Sequence, residues 1–211
     1  MVSSDPHYEE KKERILQLYN NPPSDGTVVS FDEKGSITLK EYGGSAWTID
    51  AKERRVPDRQ KTKGRVELAA AYFPHTGRIF TRFSEKKGSK ELVELLKRIR
   101  SEYPEGKLYV ILDNHKMHKS KELKAHLAVD RGIELVYTPT TSSWINAVEQ
   151  VFASIQKWVL NNSSFQSVEE VTGMIERHLT SLGERLVDLL AEKPFTFALK
   201  MMVQVINPRP S

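Results

Sequence analysis

Cysteine is absent from this chain of 211 residues. No disulfide and no thiolate metal site can form, so carboxylates and histidines are the strong metal-binding side chains on offer. Long apolar runs are missing as well: none approaches the roughly 20 residues that a membrane-spanning helix needs. The opening stretch, Met1 to Arg14, mixes acids and bases and lacks the apolar centre of a signal peptide. Internal repeats and low-complexity tracts are lacking too. These absences lead to the expectation of a cytoplasmic protein without a membrane partner. Excess charge is small: the formal net charge of +4 is a weak bias toward polyanions. With 38% hydrophobic and 28% charged residues, the chain reads as an ordinary globular domain large enough for a real core.

The charge is unevenly distributed. Between Asp50 and Arg65, seven bases (Lys52, Arg54, Arg55, Arg59, Lys61, Lys63 and Arg65) stand against three acids. Apolar periodicity is nearly absent there, so a mobile basic loop is expected. Two readings stand level: a grip on phosphates, with salt-sensitive contacts, or a merely solvated loop.

Periodicity sets the expected elements. A helix over 4–20, capped by Ser4, turns Ile15, Leu18 and Tyr19 inward and stops at Asn21-Pro22-Pro23. A strand from Thr27 ends at Asp32; Glu33-Lys34-Gly35-Ser36 reads as a tight turn into a half-buried strand carrying Ile37 and Leu39. Strands at Val66–Phe73 and Arg78–Phe83 flank a Pro-His-Thr-Gly turn. A helix over 89–102 precedes the continuous apolar run Leu108–Leu112, which suits a central strand covered on both faces. A helix over 119–130, a strand at Ile133–Tyr137, a helix over 145–160 and a long helix over 167–190 complete the order. Antiparallel strands followed by β-α-β units predict an α/β mixed sheet flanked by helices.

Three acids stand out by position. Asp32 ends the first strand, Asp113 ends the central one, and Glu149 lies early in the strongest helix, on the border of its apolar stripe of Ile145, Val148, Phe152, Ile155 and Val159. If the two strands are parallel neighbours, both aspartates emerge at the carboxyl edge of the sheet. Each acid alone has a duller reading, as a turn, a cap or a solvated helix residue. Together they form a cluster that a divalent cation would relieve of its repulsion. Glu33, by strand alternation, points away from Asp32 and is expected not to be a primary ligand. His115 and His118 have two readings, lining the site or bonding a loop backbone, the second weighing more for His118. Trp144 is open to stacking on a base or packing at a helix start.

The segments around these acids resemble three motifs of the bacterial mariner-like insertion-sequence transposases. They are Val29-Ser30-Phe31-Asp32-Glu33-Lys34-Gly35, then Val110-Ile111-Leu112-Asp113-Asn114-His115-Lys116-Met117-His118, then Tyr137-Thr138-Pro139 leading through Trp144 to Asn146-Ala147-Val148-Glu149. The acids are separated by 81 and 36 positions, the second interval being close to the family's own. Lys193-Pro194-Phe195 is similar to its closing motif, so the likeness runs over roughly residues 5–200. Ala147 stands where many members have proline; Trp144 is found in one branch.

The resemblance implies a ribonuclease H-like fold with a mixed five-stranded sheet flanked by helices. It implies a DDE transposase that cuts and rejoins DNA with two Mg²⁺ or Mn²⁺ ions held by Asp32, Asp113 and Glu149, supported by Asn114, His115 and Asn146. Implied partners are the transposon ends, the target DNA and a second subunit in a homodimer, in a prokaryotic cytoplasm at the nucleoid. Arg54, Arg55, Arg59, Lys61 and Lys63 are the expected DNA contacts. The expected division is an N-terminal helix and linker over 1–25, the catalytic domain over 26–200 and a tail over 201–211. Relatives place helix-turn-helix domains before the first Asp motif, and only 31 residues precede Asp32, which points to a fragment, a truncated product or half of a split protein. Two alternatives remain open: a non-catalytic DNA-binding or dimerising regulator, and a ribonuclease H-like nuclease of another kind.

Overall fold

In the computed structural model, residues 5–45 and 55–192 are described. The expected cap Ser4, Trp47, Lys52, Arg54 and the Lys193-Pro194-Phe195 motif lie outside them.

Helix α1 (Tyr8–Asn20) is followed by β1 (Gly26–Thr38), β2 (Arg65–Tyr72), β3 (Ile79–Ser84) and α2 (Ser89–Glu102). Then come β4 (Lys107–Leu112), α3 (Lys121–Val129), β5 (Ile133–Tyr137), α4 (Val148–Ile155) and α5 (Val168–Glu192). The five strands form one sheet in the order β3-β2-β1-β4-β5. The β1–β2 and β2–β3 pairs are antiparallel; β1–β4 and β4–β5 are parallel.

The expected turn at Glu33–Ser36 is not a turn. β1 runs straight through it, pairing with β2 from Ser30–Tyr72 to Thr38–Arg65, and the extra residues are taken up as a bulge between Lys34 and Ile37. Gly35 and Ser36 are exposed at that bulge, so the polar turn chemistry is spent on a kink within one long strand. Two expected strands thereby merge, and the sheet has five.

Helices cover both faces. One core joins Ile15, Leu18 and Tyr19 of α1 with Ile111 of β4, Val148, Val151 and Ile155 of α4, and Val171, Ile175 and Leu182 of α5. The other joins Val29 and Phe31 of β1 with Leu92, Leu96 and Ile99 of α2, Val110 of β4 and Leu123 of α3. Adjacent β1 side chains feed opposite cores, as the strand's two-residue period requires.

Helix α1 is fastened to the loop before α4. Asp5 accepts from the His7 amide at 3.0 Å, the Lys11 ammonium at 2.8 Å and the Thr140 amide at 3.1 Å. The Lys11 bond first, then the two amides, hold its carboxyl far below the usual range. The Tyr19 hydroxyl shares a hydrogen bond with Ser30 Oγ at 2.8 Å and accepts from the Ala147 amide at 3.1 Å, joining α1, β1 and the start of α4.

Gly26 starts β1 against the backbone of β4. A Cβ built there would stand 2.3 Å from the Lys107 carbonyl oxygen, an approach only glycine allows.

Candidate active site

The β1–β4 register runs from Gly26–Lys107 to Ser30–Ile111. Asp32 and Asp113 lie two residues beyond that last pair, at the same level on neighbouring strands and at the carboxyl end of their parallel pairing. Asp32 sits within β1, paired with Ala70 of β2, rather than at a strand terminus. Asp113 is the residue after β4. Glu149 occupies the first turn of α4.

The helix expected over 145–160 is a composite. A 3₁₀ turn spans Ser143–Ile145, α4 proper begins at Val148, and a π turn over Gln156–Leu160 ends it. The π turn keeps Val159 and Leu160 buried while Trp158 faces solvent. Asn146 anchors the start: almost fully buried, it donates Nδ2 to the Phe31 carbonyl at 2.8 Å, next to Asp32. Thr141, in the loop from β5, has φ of 63°, a strained value for a β-branched residue.

The three acids sense one another. Burial, and then repulsion from Asp113, Glu149 and Glu33, push the Asp32 carboxyl up to about 7, even though the Glu33 amide donates to it at 2.7 Å. Glu149 is raised by burial, with Lys34 pulling it down and Asp113 adding to the rise. Lys34, two residues from Asp32 on the same side of β1, is lowered by burial against the pull of Glu149, and its ammonium lies 5.9 Å from the Phe152 ring centre. Among the described residues, no three His, Cys, Asp or Glu side chains already stand close enough to hold a metal ion. The acids are electrostatic neighbours.

The other expected residues are distributed as follows. Asn114 and His115 are exposed. The His115 amide donates to Asp113 Oδ1 at 3.0 Å, and its ring accepts from the Met117 amide at 3.4 Å. Arg55, Arg59, Lys61 and Lys63 are exposed. Their segment is less free than a mobile loop. Gln60 brackets the Glu41 backbone, accepting from its amide at 2.7 Å and donating to its carbonyl at 3.0 Å. Lys63 reaches Gln166, and Leu39 exchanges backbone bonds with Lys63 and Gly64. Trp144 is 62% exposed, which removes the packing reading.

Two residues the sequence reading set aside form the most unusual feature. Glu33 and His118 are buried, with side chains 4% and 1% exposed. His118 Nδ1 bonds the Asp113 carbonyl at 3.0 Å, as the backbone reading foresaw, and also lies 2.8 Å from Asp113 Oδ1. Both neighbours are acceptors, so Nδ1 carries the proton. Burial lowers the affinity of His118 for a second proton, but Glu33 and Asp113 outweigh it and the net shift is upward. The signal available in the sequence was strand alternation, which placed Glu33 on the covered face without naming its partner.

A family model described as DDE superfamily endonuclease matches residues 27–172. An insertion element IS630 uncharacterized 39 kDa protein of Shigella sonnei is 25% identical over 183 residues, 85% of this chain and 52% of that protein. The chain thus spans about half the length of the curated relative it matches. The Mos1 mariner paired-end complex with Mn superposes at a TM-score of 0.65 and 16% identity, covering 97% of this chain and 63% of that one. The catalytic domain of Mos1 mariner transposase superposes at 0.56 and 15%, covering 93% and 92%. These likenesses establish the fold as ribonuclease H-like. By its matching segment and its fold, the chain belongs to the DDE superfamily endonucleases.

Proposed function

We propose that this chain is the catalytic part of an insertion-sequence transposase, with residues 26–200 as the catalytic unit and Asp32, Asp113 and Glu149 as its acids. The observation that carries the reading is the levelling of Asp32 and Asp113 on adjacent parallel strands, with Glu149 in electrostatic reach. The donor set suits Mg²⁺ or Mn²⁺: hard carboxylate oxygens, with Asp32 short of positive charge first through burial and then through repulsion from its acidic neighbours. Two such ions, when bound, would supply the charge stabilisation that in-line displacement at a phosphodiester needs.

The chain's own residues do the rest. Two strands fix Asp32 and Asp113. Asn146, bonded to the Phe31 carbonyl, sets where α4 begins and hence where Glu149 stands relative to Asp32 and Lys34. Asn114 and His115 flank Asp113 on its exposed side. In the reaction, water attacks the phosphorus, the P–O3′ bond breaks and a 3′-hydroxyl is released. That hydroxyl then attacks a target phosphorus: a new P–O3′ bond forms, the target's own P–O3′ bond breaks, and the target 3′-oxygen leaves as a hydroxyl, taking up the proton that the attacking hydroxyl gives up. The basic segment, including Arg54, Arg55, Arg59, Lys61 and Lys63, contacts DNA, and the working assembly is a homodimer at the nucleoid of a prokaryotic cytoplasm. The Mos1 relative, described as a paired-end complex, supports DNA ends as the substrate.

The test is nicking of supercoiled plasmid in Mn²⁺ against chelator, with melting temperature followed in parallel. Cleavage and a Mn²⁺-induced rise in melting temperature, both lost in Asp32→Ala and Asp113→Ala, are expected. Absence of both in the unsubstituted chain would leave the non-catalytic DNA-binding reading.

A further inference from the structure

We propose that His118 and Glu33 are positioning residues, which hold the Asp113 carboxylate from the covered side of the sheet so that one defined oxygen faces the cation. The inference rests on the reading of Asp113 as a metal ligand and goes beyond it.

The geometry is a line of polar groups from β1 to the end of β4, with the Glu33–His118 step longer than a hydrogen bond. Glu33 Oε2 lies 3.7 Å from His118 Nε2 and 3.6 Å from the Lys87 ammonium. His118 Nδ1 faces both oxygens that Asp113 offers inward, its carbonyl at 3.0 Å and Oδ1 at 2.8 Å. The imidazole is clamped. Phe31 packs edge-on against it, with centroids 5.8 Å apart, and the Tyr137 hydroxyl donates to the His118 carbonyl at 3.1 Å.

Such an arrangement is costly as packing alone. Glu33 Oε1 and His118 Nε2 are buried with no hydrogen-bond partner. A site selected only for stability would be better filled by apolar groups of the same volume. The return is orientation. Oδ1 of Asp113 takes contacts from both His118 and the His115 amide, which leaves Oδ2 as the oxygen turned outward. Partners behind a ligand fix its direction and govern metal affinity. The consecutive acids of β1 therefore serve one centre from two faces: Asp32 directly, Glu33 through His118.

Mn²⁺ alone is the probe, titrated by electron paramagnetic resonance against the whole chain without DNA, with circular dichroism checking the fold. His118→Ala should weaken binding by about 10–100-fold. His118→Asn places an amide nitrogen close to the Nδ1 position and should recover most of that loss. His118→Gln, whose amide reaches toward Glu33 instead, should not. Glu33→Gln should weaken binding less than His118→Ala. Wild-type affinity in His118→Ala, or equal affinity in the Asn and Gln variants, overturns the proposal; the Asn–Gln comparison decides even if the alanine variant fails to fold. Mn²⁺ affinity left unchanged by Asp113→Ala overturns the parent reading instead, so the two failures are distinguishable.

Discussion

Asp32 and Glu33 are consecutive carboxylates on one strand, and their surroundings differ in kind. Asp32 looks out on the side of α4, where its neighbours are two more acids, while Lys34 bears on Glu149. Glu33 is sealed on the side of α2 and α3, where a histidine and Lys87 face it. The open side carries unresolved negative charge; the covered side is balanced. Repulsion left standing in a folded protein lowers its stability, and on the open side it is what the proposed cation would relieve.

The sharpest way to break this contrast is to neutralise the open side. Asp113→Ala should reduce plasmid nicking in Mn²⁺ by about 10³-fold or more, the scale of several kcal/mol of transition-state stabilisation.

The next effect is on pH dependence. Folded Asp32 keeps its proton up to about 7, whereas an unfolded aspartate releases it near 4. The folded chain therefore binds more protons within that window, and stability in chelator should fall as pH rises through it. Asp32→Asn should flatten the profile, read from urea midpoints at several pH values; a flat profile in the parent would contradict the burial argument.

Asn146→Ala tests the tie between the two elements that frame the open side. It strands the buried Phe31 carbonyl and should cost about 1–3 kcal/mol in urea unfolding. The smallest effect is expected at Lys34. Lys34→Met removes a cation that competes for Glu149, so Mn²⁺ should bind about 2–5-fold tighter, the scale of a partly exposed ion pair. Weaker binding would mean that Lys34 helps build the site.

How much of this was legible in the sequence depends on whether a feature is local. The helix at 89–102 and the strand at 108–112 declare themselves, because their burial follows directly from residue spacing. The level placement of Asp32 and Asp113 followed from apolar runs ending in acids. The bulge in β1 was misread as a turn because Glu-Lys-Gly-Ser carries turn chemistry, while the pairing with β2 that overrides it comes from more than thirty positions away. The Glu33–His118 contact joins β1 to the 3₁₀ turn Lys116–Lys119 beyond β4, and no periodicity announces it. The anchoring of Gln60 on Glu41 is equally invisible: a single side chain stands in for a strand, where composition suggested a mobile basic loop, phosphate-gripping or merely solvated.

Gly26 touches none of the three candidate acids, yet it acts as the alignment pin of the centre. Its missing side chain lets β1 and β4 close up at their first pair, and every later pair inherits that offset. A methyl group at this point would wedge the strands apart where they begin and carry the error six residues onward, to the place where two aspartates must stand abreast. Among changes remote from the chemistry, alanine at this position is the one by which a chain could keep all its acids and still lose their alignment.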